Sequence, residues 1–175
     1  MARRRRRIVS GRVYEICFRA RSGLPLPPTR VINLCIYSIL ARAQRDDKVT
    51  LCHHNWMSNH PHLIIRAKDA EQAKRFYCEV KKRLTDFIKA LLGIKHLNLW
   101  EDGCMVAEIL DVSKVKDRIA YLYSNPSAAD LEVSIDRYPG VSSWQQYTNS
   151  LEHLDASHSS TFAWLQLPHL QRLPS

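Results

Sequence analysis

The chain has 175 residues, of which 45% are apolar and 25% charged, and its formal net charge is +9. This length suits a single domain with a sizeable core, and no apolar run approaches the roughly 20 residues that span a bilayer. The basic N-terminus lacks the features of a secretory signal, and the five cysteines are scattered, odd in number and without a C-x-x-C pair. We therefore expect a cytoplasmic protein without a disulfide framework or a cysteine zinc site.

The positive charge is concentrated at the start of the chain. Residues 1–45 contain eleven arginines and one acidic residue, Glu15, whereas the remainder is close to neutral. Because like charges repel one another, we predict that residues 1–10 form a mobile basic arm. Such an arm is either a plain solvated tail or a segment that binds the phosphates of a polyanion. Its charge comes from Arg3, Arg4, Arg5, Arg6 and Arg7.

The first half of the sequence predicts a strand, a helix and two further strands. Residues 12–19 are rich in β-forming side chains, and a Pro/Gly segment follows them. Thr29 can cap a helix that ends at Asp46 and Asp47. The apolar positions of this helix are Ile32, Ile36, Ile39, Leu40 and Ala43. Residues 49–56 and 60–66 are predicted as strands joined by a short turn.

A long amphipathic helix is predicted to start at Asp69, because Gln72 stands three residues later in the position of a capping box. Apolar residues recur at helical spacing, and Gly93 stands where a C-cap belongs. The apolar stripe comprises Ala73, Phe76, Val80, Leu84, Phe87 and Leu91. Another face carries Lys74, Lys82 and Lys89, which are either simply solvated or available to a polyanion.

The second half ends with a short strand and a last helix. Residues 104–110 are predicted as the strand, and Ser113 is expected to cap a helix that runs to about Ser124 and stops at Asn125 and Pro126. The order strand, helix, strand, strand, helix, strand, helix is typical of an α+β fold of the split β-α-β type. We predict an antiparallel sheet with helices on one face, plus a C-terminal helix.

Two histidines flank one residue in the segment M-S-N-H-P-H, just before a short apolar run. Residues two apart on a strand point to the same face, so His60 and His62 should project together, while Leu63 and Ile65 point into the core. Neutral imidazoles in this arrangement can both bind one divalent cation. The spacing alone is unspecific, because a chain with eight histidines can contain it by chance.

The last predicted helix carries a second set of polar side chains. Its apolar stripe comprises Val115, Ile119 and Leu122. Tyr121 lies off that stripe, on a face that it shares with Lys114, Arg118 and Asn125. A metal and nearby cations can activate a phenol as a nucleophile. The alternative is an ordinary amphipathic tyrosine at the surface.

Four motifs occur in one order: M-S-N-H-P-H-L-I-I at 57–65, L-W at 99–100, Y-L-Y-S-N-P at 121–126 and Y-P-G-V-S-S-W at 138–144. Together with G-R-V-Y-E-I at the start of the first strand, this arrangement resembles the HUH single-tyrosine transposases. The resemblance is closest to the bacterial REP-associated tyrosine transposases. It covers residues 11–147, which we take as the domain, and leaves 148–175 as a tail of unclear structure.

The resemblance implies a ferredoxin-like sheet that binds Mg²⁺ or Mn²⁺ through His60, His62 and Asn125, with Tyr121 as the nucleophile. In that mechanism the tyrosine attacks a phosphodiester, forms a 5′-phosphotyrosine and releases a 3′-hydroxyl, and rejoining reverses the attack. The implied partner is single-stranded or hairpin DNA, which suggests a nucleoid-associated protein, either a monomer or a homodimer. The residues expected to contact DNA are Arg3, Arg4, Arg5, Arg6, Arg7, Arg12, Lys74, Lys82, Lys89, Lys114 and Arg118.

The chain departs from the family pattern at two places near these motifs. Pro61 stands between the histidines, although a central strand rarely tolerates proline. Glu101 and Asp102 follow the L-W motif, where the family carries basic and aromatic residues, and negative charge there would repel DNA. The alternative hypothesis is therefore a catalytically inactive module of the same fold that only holds single-stranded or hairpin DNA.

Two further hypotheses have less support. A zinc site built from Cys52, His53, His60 and His62 needs four convergent ligands, whereas Cys52 and His53 are expected on opposite faces of one strand. A sheet that binds RNA would present paired aromatic side chains on a strand of the R/K-G-F type. The sequence contains no clear strand of that type.

Overall fold

The computed structural model describes residues 11–22 and 24–155. The strands are β1 (Arg12–Cys17), β2 (Thr50–Trp56), β3 (Pro61–Ala67) and β4 (Met105–Glu108). The helices are α1 (Arg30–Asp47), α2 (Ala70–Leu92), α3 (Val112–Ala128) and α4 (Trp144–Asp155), and a short 3-10 turn, Ile135–Arg137, precedes α4. Helix α4 runs across the boundary predicted at residue 147. The predicted basic arm and the tail beyond residue 155 lie outside the described residues.

The four strands form one antiparallel sheet in the order β2-β3-β1-β4. Strands β1 and β2 consequently run parallel to one another with β3 inserted between them, which is the split β-α-β arrangement of a ferredoxin-like fold. The predicted α+β fold class is therefore confirmed. The two central strands are β1 and β3, so the side chains that they carry lie in the middle of the sheet.

Local sequence signals set the limits of the first two helices. Thr29 caps α1 and Asp69 caps α2, and each side chain accepts the N–H three residues further on. Gly93 ends α2 in the left-handed region at φ 68°, where glycine is unstrained. One position of the apolar stripe predicted for α2 is wrong, because Leu91 is exposed and Ile88 is buried in its place. None of the described helices is both long enough and apolar enough to cross a bilayer.

The two faces of the sheet bury different sets of side chains. Leu63 and Ile65 point into the main core with residues of α1 and α2, as the alternation predicted. Ile64 points the other way into a smaller cluster that α3 covers. The described α3 residues of that cluster are Val115, Ile119, Leu122 and Tyr123. The sheet is thus sandwiched between the helix pair α1 and α2 on one face and α3 on the other.

Pro61 fits the sheet because it is the first residue of β3. It pairs with Trp56 of β2 on one side, and β1 ends with Cys17 opposite the next residue, His62. On the N-terminal side of the proline, the carbonyl oxygen of Asn59 accepts the N–H of Ala20, which follows β1, at 2.7 Å. Proline is tolerated at the start of a strand, since its missing N–H leaves no gap in the ladder there.

Helix α3 starts earlier than predicted. Its cap is Asp111 and not Ser113, because the Asp111 carboxylate accepts the N–H of Ser113 at 2.9 Å. A carboxylate at this position also interacts favourably with the positive end of the helix dipole. The cap lowers the pKa of Asp111 through these hydrogen bonds to Ser113.

The same helix does not stop at Ser124 but continues through Pro126 to Ala128. Proline cannot donate to the carbonyl four residues earlier, and that loss normally breaks a helix. Here the carbonyl in question, that of Leu122, accepts the side-chain amide of Asn55 at 3.0 Å. The helix therefore tolerates its proline because strand β2 supplies the missing donor.

The Y-P-G-V-S-S-W segment, residues 138–144, lines the outer edge of β2. The N–H of Trp56 donates to the carbonyl oxygen of Val141 at 2.7 Å, and the Tyr138 hydroxyl donates to the Trp56 carbonyl at 2.9 Å. A β-carbon at Gly140 would lie 2.3 Å from the Tyr138 ring, so a larger residue there would displace the ring that makes this bond. The motif thus covers a sheet edge that would otherwise be free to pair with another chain.

Candidate functional site

The histidine pair and the off-stripe tyrosine meet on the sheet face that α3 covers. The ring centroids of His60 and His62 are 4.9 Å apart. The ring of Tyr121 lies 5.7 Å from that of His62 and is nearly perpendicular to it, at 84°. Tyr121 is 48% exposed, so its side chain is accessible to a ligand. The structure therefore brings together the three side chains that the sequence placed on a strand start and on a distant helix.

His60 presents a single lone-pair nitrogen to this surface. Its Nδ1 lies 2.6 Å from Oδ1 of Asn59, an oxygen that only accepts, so we assign the proton to Nδ1 and the lone pair to Nε2. Burial lowers the pKa of His60 to about 4, with smaller contributions from the neighbouring His62 and Arg19. The imidazole is consequently neutral near pH 7, the state in which it binds a metal.

His62 is buried, and a carboxylate faces it. Its Nδ1 makes no hydrogen bond among the described residues, and Oε1 of Glu15 lies 3.8 Å away. The other oxygen of the same carboxylate lies 3.4 Å from Nε of Arg118 on α3. Glu15 is only 4% exposed and lies on the central strand β1. One buried carboxylate therefore lies between the second histidine and the helix that carries Tyr121.

The two tyrosines of the Y-L-Y motif have different environments. Tyr123 is buried, and its hydroxyl lies 2.8 Å from Nδ1 of His53 and 2.9 Å from Oγ of Ser143. Burial is the main cause of a raised pKa at Tyr123, so its phenol stays protonated. Tyr121, two residues earlier, faces the histidine pair instead. The phenol that a ligand can reach is therefore that of Tyr121, whereas Tyr123 links α3 to β2 through its hydrogen bond with His53.

Of the three expected metal ligands, the ring contacts bring His60 and His62 together. Among the described residues, no group of three or more His, Cys, Asp or Glu side chains is arranged to hold a metal, so a third protein ligand would have to be another residue type. Asn125 follows Tyr121 by one turn, is half-buried, and has an amide nitrogen that is buried without a hydrogen-bond partner in the described part of the chain. Imidazole nitrogen is the commonest metal ligand in proteins, and an amide oxygen is a donor that Mg²⁺ and Mn²⁺ accept.

The prediction that Cys52 and His53 lie on opposite faces of β2 is wrong. A register shift between Leu51 and His53 interrupts the alternation of β2. As a result, Cys52 and His53 both face α3, with Cys52 in its apolar cluster and His53 against Tyr123. Burial raises the pKa of Cys52 to about 12, so the thiol is protonated and is a poor zinc ligand.

The lysines expected on α2 are not close to these rings. Helix α2 packs on the sheet face that buries Leu63 and Ile65, which is the face opposite α3. Lys74 and Lys82 are exposed there, and the ammonium of Lys89 lies 3.4 Å from Asp86. A DNA strand bound at Tyr121 would have to pass around the β-sheet to reach these lysines.

The remaining expected cations divide into two groups. Lys114 and Arg118 lie on α3 with Tyr121, and both are exposed. Arg12 pairs with Glu108 of β4 at 3.2 Å, as an exposed ion pair of the kind that contributes little to stability. The candidates Arg3, Arg4, Arg5, Arg6 and Arg7 lie outside the described residues.

Sequence reasoning missed three residues that shape the site. Asn59 holds the His60 ring, Glu15 faces His62, and Arg19 is exposed near His60 at the end of β1. A signal for Glu15 was present, since it is the one acidic residue in the first 45 and stands within an apolar strand. Asn59 and Arg19 gave no comparable signal, because their proximity to His60 depends on how the chain folds past Pro61.

Comparison with known proteins adds a shared fold. No family model matches this sequence, and no curated protein matches it. Among solved structures, a REP-associated tyrosine transposase bound to a REP hairpin matches over the full length of both chains, with a TM-score of 0.66 and 17% identity. A candidate transposase from Deinococcus radiodurans R1 matches with a TM-score of 0.48 and 14% identity, over 68% of this chain and 95% of that one. The resemblance inferred from the motifs is confirmed at the level of the fold.

Proposed function

We propose that this protein is a metal-dependent, transposase-like nuclease that nicks and rejoins single-stranded or hairpin DNA. The observation that carries the proposal is that the rings of His60, His62 and Tyr121 lie next to one another, with Tyr121 exposed. Support comes from the fold, which is that of a transposase bound to a REP hairpin. A histidine pair could hold a metal that polarises a phosphate, and the phenol beside it could supply the nucleophile.

Three donors of this chain would hold Mg²⁺ or Mn²⁺, namely Nε2 of His60, Nε2 of His62 and the amide oxygen of Asn125. In both imidazoles Nδ1 faces an oxygen, that of Asn59 or of Glu15, which leaves Nε2 for the ion. When bound, the ion offsets the negative charge that develops on the scissile phosphate. Water and phosphate oxygens would complete the coordination, since these ions take about six ligands.

Tyr121 supplies the nucleophile in this proposal. Its hydroxyl oxygen forms a bond to phosphorus, the bond from phosphorus to the 3′ oxygen breaks, and the downstream strand remains attached as a 5′-phosphotyrosine. The phenol proton passes to solvent and the released 3′ oxygen gains a proton, so the step needs no nucleotide cofactor. Attack by a 3′-hydroxyl on the phosphotyrosine runs the step backwards and rejoins the DNA.

Cations on the same side of the sheet would hold the strand. Arg19 lies near His60, and Lys114 and Arg118 lie on the helix of Tyr121. Arginine pairs with phosphate oxygens through two parallel N–H groups, which positions the backbone as well as attracting it. The α2 lysines and the basic arm would add longer-range attraction that depends on ionic strength.

The experiment that tests the proposal compares Tyr121→Phe with Tyr123→Phe. With Mn²⁺ and hairpin-bearing oligonucleotides labelled at the 3′ end, the parent and Tyr123→Phe are expected to form a covalent adduct that survives a denaturing gel. Tyr121→Phe is expected to form none. The label is placed at the 3′ end because the downstream strand is the part that stays attached. An adduct with Tyr121→Phe would overturn the assignment of the nucleophile.

A second candidate is an inactive module of the same fold that binds hairpin or single-stranded DNA. The observation that favours it is the exposed acidic loop, in which the N–H of Glu101 donates to the carbonyl oxygen of Arg19 at 2.9 Å. This contact places Glu101 and Asp102 beside the end of β1 and therefore near the site, where they repel phosphates. Retained hairpin binding by the parent, without an adduct in either Mg²⁺ or Mn²⁺, would establish this candidate.

A further inference from the structure

We propose that Glu15 is a positioning residue of this site, which orients the His62 imidazole for the metal and anchors the Tyr121 helix through Arg118. The inference rests on the proposed function, because it assigns Glu15 a role in the same metal and tyrosine chemistry. The sequence assigned no role to this residue, although it is the one acidic side chain in residues 1–45. The proposed role of Glu15 is based on the burial of its side chain and on the residues that its two carboxylate oxygens face.

A carboxylate at the position of Glu15 is a poor choice for stability alone. The residue lies on β1 between Ile64 of β3 and Ala107 of β4 in the strand register, and it is 4% exposed. Removing a charge from water costs several kcal/mol unless partners compensate, and an apolar side chain at such a site is often more stabilising. The burial of this carboxyl group is therefore better accounted for by its two contacts, with His62 and with Arg118, than by stability.

The first carboxylate oxygen faces the metal-binding imidazole. Oε1 of Glu15 lies 3.8 Å from Nδ1 of His62, and that nitrogen makes no hydrogen bond among the described residues. Histidines that bind a metal commonly donate their second N–H to a carboxylate or carbonyl, which fixes the tautomer and the ring. A shift of about 1 Å brings the pair to hydrogen-bond distance. Asn59 already holds the first imidazole, that of His60, in the same way.

The second oxygen faces the helix of the nucleophile. Oε2 of Glu15 lies 3.4 Å from Nε of Arg118, which is three residues before Tyr121 and so lies on the same side of α3. The two contacts start from one side chain whose backbone is fixed in a central strand. Glu15 therefore couples the position of the His62 ring to the position of the tyrosine across the gap where a phosphate would lie.

The experiment measures Mn²⁺ affinity without DNA, from the loss of the electron paramagnetic resonance signal of the free ion. Glu15→Gln keeps the shape of the side chain but removes its charge, and it is expected to weaken Mn²⁺ binding about 10- to 100-fold. Glu15→Asp keeps the charge on a shorter stem and is expected to give an intermediate affinity. The matched control is Glu79→Gln, which removes a carboxylate paired with Arg83 on the opposite helix layer and should change the affinity less than twofold.

His62→Ala separates failure of this proposal from failure of the proposed function. Weakened Mn²⁺ binding by His62→Ala with parent-like binding by Glu15→Gln would overturn the role of Glu15 and leave the metal site intact. Equal binding by the parent and His62→Ala would remove the metal site itself, and the role of Glu15 with it. Thermal unfolding of each variant checks that the protein is folded during the titration.

Arg118→Gln tests the second part of the proposal, that Glu15 anchors α3, by a different measurement. It is expected to leave Mn²⁺ affinity within twofold of the parent, because the His62 contact is kept. It should lower the rate of adduct formation at saturating DNA, because the tyrosine helix loses its tether to β1. An unchanged saturated rate, with only a higher DNA concentration needed to reach it, would show that Arg118 binds DNA without anchoring the helix.

Discussion

The side-chain amide of Asn55 on β2 donates to the carbonyl oxygen of Leu122 on α3 at 3.0 Å, across 67 positions of sequence. This carbonyl is the one that Pro126 leaves without a helical donor. Asn55 is fully buried at 0% exposure, so water does not compete for the bond. Because Leu122 directly follows Tyr121, the bond fixes the turn of α3 that holds the tyrosine above the histidine pair.

Asn55→Ala is expected to lower the free energy of unfolding by about 1–3 kcal/mol, because it leaves the Leu122 carbonyl buried without a donor. Urea unfolding measures this change. The matched control is Asn33→Ala, which removes an amide-to-carbonyl bond of 2.7 Å to Pro139 at an exposed position; its effect should stay within about 0.5 kcal/mol. Equal losses in the two variants would contradict the importance of the buried bond.

The same contact explains what the sequence could and could not predict. Helices α1 and α2 were predicted almost to their ends, because Thr29, Asp69 and Gly93 act on N–H and C=O groups within the next turn. The end of α3 was predicted wrongly, because the donor that lets the helix pass Pro126 comes from another strand. Rules based on neighbouring residues predict that a proline ends a helix, and they take no account of a donor from a distant strand.

Within the candidate site, the predictable part was also the local part. The alternation of β3 predicted which residues face the core, and the stripe of α3 placed Tyr121 off the buried side. The alternation failed on β2, where a bulge before His53 turns two successive residues to one face. Neither periodicity predicts that Tyr121 meets His62, since the crossing of α3 over the sheet depends on tertiary contacts. That expectation came from the order of the motifs.

Stability is expected to fall as the pH falls from 6.5 towards 4, because His53 and His54 of β2 are buried in the neutral state and the pKa of His60 is lowered as well. Burial lowers the pKa of His53 to about 4 and that of His54 to about 3. Between these values and 6.5 the unfolded chain binds protons that the folded chain excludes, so each histidine lowers the free energy of unfolding by roughly 1 kcal/mol per pH unit. Urea unfolding between pH 7 and pH 5 measures the slope.

The control for this pH dependence is His54→Gln. Glutamine is neutral throughout the range, so the variant should lose stability less steeply than the parent as the pH falls, whatever its stability at pH 7. A slope equal to that of the parent would show that His54 does not resist protonation in the folded protein.

Arg19→Ala is expected to weaken binding to a hairpin oligonucleotide, because Arg19 is an exposed cation beside His60. Loss of one phosphate contact should reduce the slope of log affinity against log salt by about 1. Fluorescence anisotropy over a series of NaCl concentrations measures both quantities. Arg42→Ala, which removes an exposed arginine from α1 on the other side of the sheet, should leave the slope unchanged. A similar loss in both variants would mean that only net charge matters.

Reversing the charge of the acidic loop is expected to strengthen DNA binding. Glu101 is exposed and its backbone contacts that of Arg19, so Glu101→Lys replaces a repulsion near the bound strand with an attraction. The affinity for a hairpin oligonucleotide should rise several-fold at low salt, and the gain should shrink as salt screens the charges. Glu71→Lys makes the same change of net charge at an exposed position at the start of α2, and it should raise the affinity much less. If the two variants gain equally, the loop does not adjoin the path of the DNA, and the acidic residues no longer favour an inactive binding module.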